Sequence, residues 1–324
     1  MIQNYIGDNN EFITAWRKVL TKAPVDFVTY VAISTQQYYE EYKLSHISPI
    51  NVAASDGSVD LYKQMMIKLV NMNPENIFGN NHPIFLAAGS GHFDIYKHIF
   101  WELVDKNPAR FAGVTPLYIA AQNGHNEICK LTIDNVDDKN PAVDNGDTPL
   151  YAAAQNGHYE IGKLIIANVD KKNPARNDGV TPFYIAACHG HYQVCELMIE
   201  NLDDKNPAMP NGVTPLFIAA EKGNFEICKL IIENLDDKNP VMANGFTPLF
   251  MAARNGHFEI CKLIISKVDD KNPAENNGFT PLSVAAQNGH YKICELIISN
   301  VDEKNPAWPN GVTPLSIAAQ YGHN

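Results

Sequence analysis

The chain has 324 residues, 45% of them apolar and 19% charged, the composition of a folded protein rather than a disordered one. Its formal net charge of −11 excludes nucleic-acid binding through a global positive field, and no run of Lys and Arg supplies a local one. There is no stretch of about 18 apolar residues, which excludes a transmembrane helix, and the start, MIQNYIGDNNEF, lacks the basic and apolar regions of a signal peptide.

Residues 1–46 form the first segment. Phe12, Ile13, Trp16, Val19 and Leu20 are spaced as the apolar face of a helix, and Pro24 then breaks the chain. A second helix is predicted to end in the tyrosine-rich stretch Tyr38, Tyr39 and Tyr42. This segment reads as a helical amino-terminal cap or a docking segment, because a stacked repeat needs its first face covered.

Residues 47–324 repeat. Thr-Pro followed by a large apolar residue recurs at Thr115, Thr148, Thr181, Thr214, Thr247, Thr280 and Thr313, each step being 33 residues. Weaker copies precede them at Ser48-Pro49 and His82-Pro83, 34 residues apart. The array therefore holds eight complete units and a ninth that reaches only its first helix.

Within one unit, Thr214 to Pro240, each position has a physical reading. Thr214 suits an N-cap and Pro215 the first helical turn, where its missing N–H costs nothing. Leu216, Ile218, Ala219 and Ala220 make an apolar face whose alanines allow close helix approach, and Gly223 closes the first helix. Ile227, Cys228, Leu230, Ile231 and Ile232 make the second helix apolar over more than one face, as packing between two neighbours requires. Asn234 is expected to adopt the left-handed conformation just past that helix, with Leu235 as its apolar contact; the pair recurs as Asn135-Val136, Asn168-Val169, Asn201-Leu202 and Asn300-Val301. A loop of the type Asp204-Lys205-Asn206-Pro207 and an Asn-Gly, Asp-Gly or Ala-Gly turn then lead to the next Thr-Pro.

Six cysteines do not form a disulfide framework. Cys129, Cys195, Cys228, Cys261 and Cys294 share one repeat position, filled in another unit by Gly162, so each thiol falls where a small apolar residue is wanted. They read as reduced core cysteines of an intracellular protein, cytoplasmic or nuclear. Cys188-His189-Gly190-His191, with Cys195 behind it, resembles a zinc ligand set in spacing. The repeat frame opposes that reading, because His191 is the recurring turn histidine and Cys195 the recurring core thiol. The loop carboxylates recur in many copies, as turn formers do and catalytic pairs do not, and no nucleotide loop, nucleophile elbow or metalloprotease helix motif is present. No catalytic, cofactor-binding or metal-binding residue is assigned, and the chain is read as no enzyme.

Thr-Pro-Leu, the Ala219-Ala220 pair and the Gly-His turns at Gly124-His125, Gly157-His158, Gly256-His257 and Gly289-His290 resemble the ankyrin repeat over residues 48–324. The resemblance implies an all-α solenoid of stacked helix pairs with short hairpin-like loops. Two departures stand out. Where the family has His after Thr-Pro-Leu, this chain has Tyr118, Tyr151, Tyr184, Phe217, Phe250, Ser283 or Ser316, and Leu-Asp-Asp-Lys-Asn replaces Gly-Ala-Asp-Val-Asn. Asn140, Asn173, Asn206, Asn239, Asn272 and Asn305 align with the asparagine that an asparaginyl hydroxylase modifies in the family, although a lysine precedes each of them here.

The resemblance implies a non-catalytic protein-binding scaffold or adaptor, expected to be monomeric and without a cofactor; charge and hydropathy speak against nucleic acid and membrane as partners. The alternative is the repeat region of a larger signalling protein: a phosphatase or ubiquitin-ligase targeting subunit, or a channel's cytosolic domain. Recognition is expected where otherwise similar units differ. The residues before Thr form a mostly apolar stripe, Val114, Val180, Val213, Phe246, Phe279 and Val312, interrupted by Asp147, with Trp308, Met209, Met242 and Phe111 in the same loops. Cys188, His189, Glu221, Lys222, Arg254, Asn255 and Tyr321, at first-helix ends, supply polar specificity. The stripe has two readings at this stage, a partner surface or hairpins packed on one another. At the other end of the array, Leu315 and Ile317 are expected to lack a covering second helix.

Overall fold

The computed structural model describes residues 49–72, 82–308 and 311–323; the expected cap, 1–46, lies outside them. Among the described residues there are seventeen α-helices and no β-strand. Contacts divide the chain into two units, Met1–Ala153 with Ala167–Val169, and Ala154–Ile166 with Asp170–Asn324.

The first unit contains α1 (Pro49–Asp56), α2 (Val59–Met72), α3 (Pro83–Ser90), α4 (Phe93–Glu102), α5 (Pro116–Asn123) and α6 (Asn126–Ile133); α7 (Pro149–Gln155) begins in it. Its helices alternate between two layers: α1, α3 and α5 pack side by side, α2, α4 and α6 do the same, and each first helix packs on its own second helix. In this unit the position later held by cysteine is occupied by Tyr62 and Tyr96 before Cys129. The Tyr96 hydroxyl donates to Thr132 at 2.7 Å, whose own hydroxyl donates to the Ile128 carbonyl at 2.9 Å, so this buried phenol is satisfied without water.

The second unit contains α8 (Tyr159–Ile166), α9 (Pro182–His189), α10 (Tyr192–Asn201), α11 (Pro215–Lys222), α12 (Phe225–Glu233), α13 (Pro248–Asn255), α14 (Phe258–Ile265), α15 (Pro281–Gln287), α16 (Tyr291–Ile298) and α17 (Pro314–Gln320). First helices α9 to α17 pack in one layer and second helices α8 to α16 in the other. The alanine pairs between neighbouring first helices, such as Ala219-Ala220 and Ala252-Ala253, are fully buried. Cys195, Cys228 and Cys261 are equally buried in the second layer.

The local signals act as the sequence reading expects. The hydroxyl of Thr115, Thr181, Thr214, Thr247, Thr280 or Thr313 accepts the N–H three residues on, with Pro in the first turn. Where Ser283 and Ser316 replace the family's histidine, the serine hydroxyl also accepts the threonine N–H, completing a reciprocal cap. Gly223 ends α11 at φ 82°, and its missing side chain leaves room for His257, whose ring would lie 2.6 Å from an added Cβ. The His257 Nε2–H donates to the Glu221 carbonyl at 3.0 Å, and because a carbonyl cannot donate, that bond fixes the tautomer. His125 and Gly89, His191 and Gln155, and His290 and Arg254 repeat it. The turn histidines are therefore structural ties between consecutive pairs.

One expectation needs correction. Asn234 lies at φ −104°, and among the described residues only Ala112 of the non-glycines has positive φ, so the asparagines are not left-handed caps. Instead the side-chain N–H of Asn135, Asn201, Asn234 and Asn300 donates back one turn, to Leu131, Leu197, Leu230 and Leu296. The helix end is capped by the loop lysine. Lys238 donates to the Ile232 carbonyl at 2.8 Å and to that of Leu235, as Lys139 does to Ile133 and Val136, and Lys205 to Ile199 and Leu202. A cation meets the negative end of the helix dipole there and also satisfies orphan carbonyls, which makes a left-handed residue unnecessary.

The same tripeptide closes the loop at its other end. Asp237 Oδ1 accepts the Asn239 N–H, and Asn239 Oδ1 accepts the Leu249 N–H, an orphan donor of α13, at 2.9 Å. Asn107, Asn140, Asn173, Asn206, Asn272 and Asn305 make the equivalent bond. Asp-Lys-Asn thus joins the end of one second helix to the start of the next first helix.

Candidate functional site

From residue 110 onward, each loop that leads to a Thr-Pro helix ends in a small hairpin. The N–H of Met209 donates to the Val213 carbonyl at 2.8 Å, the N–H of Gly212 to the Met209 carbonyl at 2.8 Å, and Asn211 Oδ1 accepts the Val213 N–H. Gly212, at φ 85°, closes the three-residue loop. The pairs Met242 and Phe246, Glu275 and Phe279, and Trp308 and Val312 repeat the pattern in the second unit, as Arg110 and Val114 do in the first. The stripe residue is therefore held one step outside the N-cap threonine of its helix.

The stripe side chains lie between the two readings. Val114, Val180, Val213, Phe246, Phe279 and Val312 are all half-buried. Phe246 packs on Phe250 of its own helix, with ring centroids 4.8 Å apart, and Phe279 on Trp308 of the next hairpin at 3.9 Å. Asp147 is buried; its Oδ2 accepts from the Asn145 side chain and its N–H donates to Asn145 Oδ1. Val104, Phe111 and Val241 are exposed apolar side chains of these loops.

The first-helix ends present polar groups. His189, Lys222, Arg254 and Asn255 are exposed, and Glu221 lies 3.5 Å from Lys222. Asn255 is also tied down, donating to the Glu221 carbonyl at 2.9 Å, and the exposed phenol of Tyr321 accepts from Gln287 at 3.0 Å. Cys188 is half-buried, and burial raises its thiol above the ordinary range, Lys222 opposing and Glu221 reinforcing the shift, so it is not poised as a nucleophile.

The residues of the zinc-like spacing are each engaged by the fold, although the His189 and His191 rings stack with centroids 6.0 Å apart. His189 Nδ1 bonds the Ile185 carbonyl at 3.0 Å, His191 bonds Gln155, and Cys195 faces the core. Among the described residues no three His, Cys, Asp or Glu side chains are gathered as metal ligands. Burial pushes the Cys129 and Cys261 thiols up to about 12, and those of Cys195 and Cys228 higher still.

The family model of ankyrin repeats (three copies) matches the chain in overlapping stretches running from residue 50 to residue 324. The chain belongs to the ankyrin repeat family. Ankyrin arrays are in general protein–protein interaction modules. No curated protein matches the chain. Among the described residues no helix of this ankyrin array is long and apolar enough to cross a membrane. The sequence reading missed the Asp-Lys-Asn module; its signal was the lysine recurring at one offset beyond the second helix.

Proposed function

We propose that the chain is a non-catalytic, monomeric scaffold that binds a protein partner through the hairpin tips and first-helix ends of residues 176–312. The observation that carries this reading is the coincidence, on consecutive repeats, of half-exposed apolar anchors with exposed polar groups that no fold contact needs. Phe246, Phe279 and Trp308 supply the anchors, and Lys222 and Arg254 supply cations at the far ends of α11 and α13. Rigid aromatics beside charged groups are the usual makings of a binding hot spot. Unpaired cysteines fit a reducing cytoplasm or nucleus.

The test separates packing from recognition. Lys222→Glu and Arg254→Glu touch no core contact, so the double variant should melt with the wild type. Partners captured from cell extract by the wild type and lost by this variant support the reading. A capture profile unchanged by both Lys222→Glu/Arg254→Glu and Phe246→Ser rejects this surface as the binding site.

A further inference from the structure

One loop of the first unit presents large apolar side chains to solvent where later repeats do not. Val104 is fully exposed, Phe111 is 83% exposed and Trp101, in the last turn of α4, 52%. At the place of Val104 all six later units carry Asp, from Asp137 to Asp302. At that of Trp101 they carry Asp, Ala, Glu or Ser, and at that of Phe111 Asp, Asn, Pro or Ala. The repeat therefore closes this loop without an apolar residue at any of these positions. Scattered exposed apolar residues need no explanation, but three confined to one loop make a patch that the fold does not require.

The patch is held in shape. The Trp101 indole meets the Phe100 ring edge-on, with centroids 5.3 Å apart. Lys106 Nζ stands over the indole at 5.5 Å while donating to the carbonyls of Phe100, Trp101 and Leu103. Phe111 sits in a hairpin closed by Ala112 and Gly113, both left-handed, at φ 63° and 74°; among the described residues only glycine is left-handed in the later hairpins. Alanine adopts that conformation at a cost, and the Asp144 N–H holds the tip there by donating to the Ala112 carbonyl at 3.0 Å.

The rim of the patch is acidic. Glu102 and Asp105 flank Val104 in sequence, and α6, packed beside α4, brings Asp134, Asp137 and Asp138 to the matching region one repeat on, about 8–10 Å away. All five carboxylates are exposed. The nearby cations are engaged elsewhere. Lys106 and Lys139 turn onto helix-end carbonyls, Lys97 lies over the Phe93 ring and Arg110 over that of Phe85.

We propose that this loop is a second docking surface, for a basic amphipathic segment of a partner protein. Bulky apolar residues of that segment cover Trp101, Val104 and Phe111, and Lys or Arg set among them meet the carboxylates. Charge chooses the occupant: a second copy of this chain would bring carboxylates against carboxylates, and an anionic membrane would be repelled in the same way. Val104 and Phe111 are seven residues apart, so they lie within about 25 Å, a span that about four turns of helix cover. The surface lies outside residues 176–312 and stands independently of the site proposed there.

The probe is the blocked, dye-labelled peptide LKKLLKLLKKLLKL, its binding to the 324-residue chain read by fluorescence anisotropy. A dissociation constant below about 100 µM is expected at low salt, weakening several-fold as salt rises. Val104→Asp/Phe111→Asp installs the next repeat's residues at both places, removing apolar anchors while adding carboxylates. Docking on the patch then means binding at least about tenfold weaker, whereas plain charge attraction means tighter binding. Both side chains are exposed, so the variant should melt with the wild type. Should it not, Val104→Asp alone, at the fully exposed site, must shift the affinity in the same direction. Asp134→Asn/Asp137→Asn should weaken binding about threefold and lessen its salt dependence. Affinity that holds or rises in Val104→Asp/Phe111→Asp overturns the proposal. So does no binding, equal affinity for the acidic peptide LEELLELLEELLEL, or capture of the chain by phosphatidylserine vesicles in place of the peptide. Dimerisation that Phe111→Asp abolishes would make a second copy the occupant and overturn it too.

Discussion

Leu249 and Leu315 hold the same place in the repeat, one residue after the first-turn proline, yet Leu249 is wholly buried and Leu315 is 70% exposed. Cys261 and Cys294 differ in the same sense, and so do Ile265 and Ile298. In α13 and α14 Leu249, Cys261 and Ile265 are at most 3% exposed, whereas in α16 and α17 the same positions meet solvent. Ile317 departs from the expectation that it would be left uncovered along with Leu315: it is 4% exposed, on a helix that packs against α15. Burial in a stacked repeat is thus a property of the neighbour supplied, not of the residue itself.

The largest test of that comparison is truncation. Leu249→Ala should cost about 2–5 kcal/mol by urea denaturation, the range for opening a cavity in a packed core, and Leu315→Ala under about 1 kcal/mol. Equal costs would mean that α17 is covered in solution. A pH test comes next. His82 holds the N-cap place that Thr214 holds later; its Nδ1 accepts the Ile84 N–H, and burial lowers its pKa to about 4. The fold favours the neutral ring, so its contribution is complete above the unfolded value of about 6.5 and is lost as pH falls from there through about 4. The first unit should lose up to about 2–3 kcal/mol over that window, and His82→Thr should flatten the loss in thermal melts.

A smaller difference is expected at the loop asparagines. Asn239→Ala strands a buried amide of α13 and should cost about 1–3 kcal/mol, whereas Asn305→Ala, at an exposed loop, should cost less than about half of that. Hydrogen exchange should rank the same regions, with amides after Thr313 exchanging at least about tenfold faster than those of α11 and α13. The smallest effect belongs to Lys238→Met, which removes the cation at the end of α12 and should cost about 0.5–1 kcal/mol, with salt weakening the difference.

Much of the fold is legible in single residues because its signals are local. Thr-Pro, the alanine pair, Gly-His and the recurring small residue of the second helix each act within one turn or on the adjacent unit, and the structure uses them as read. The asparagine after the second helix was misread because two satisfactory caps compete there. A left-handed Asn and a lysine reaching back from the loop both satisfy the last carbonyls, and the loop path decides between them. The stripe was legible as a list of residues, but its exposure was not. Whether Phe279 meets solvent or Trp308 depends on how two hairpins, 29 residues apart in sequence, come together.

By itself the sequence determined the repeat period, the helix boundaries, the family and the faces of each helix that must be buried, because capping, turn chemistry and apolar periodicity are short-range. Only the tertiary structure decided which apolar faces were covered and that the loop module joins consecutive repeats. Those depend on the distance between side chains remote in sequence, which close packing sets and local propensity does not.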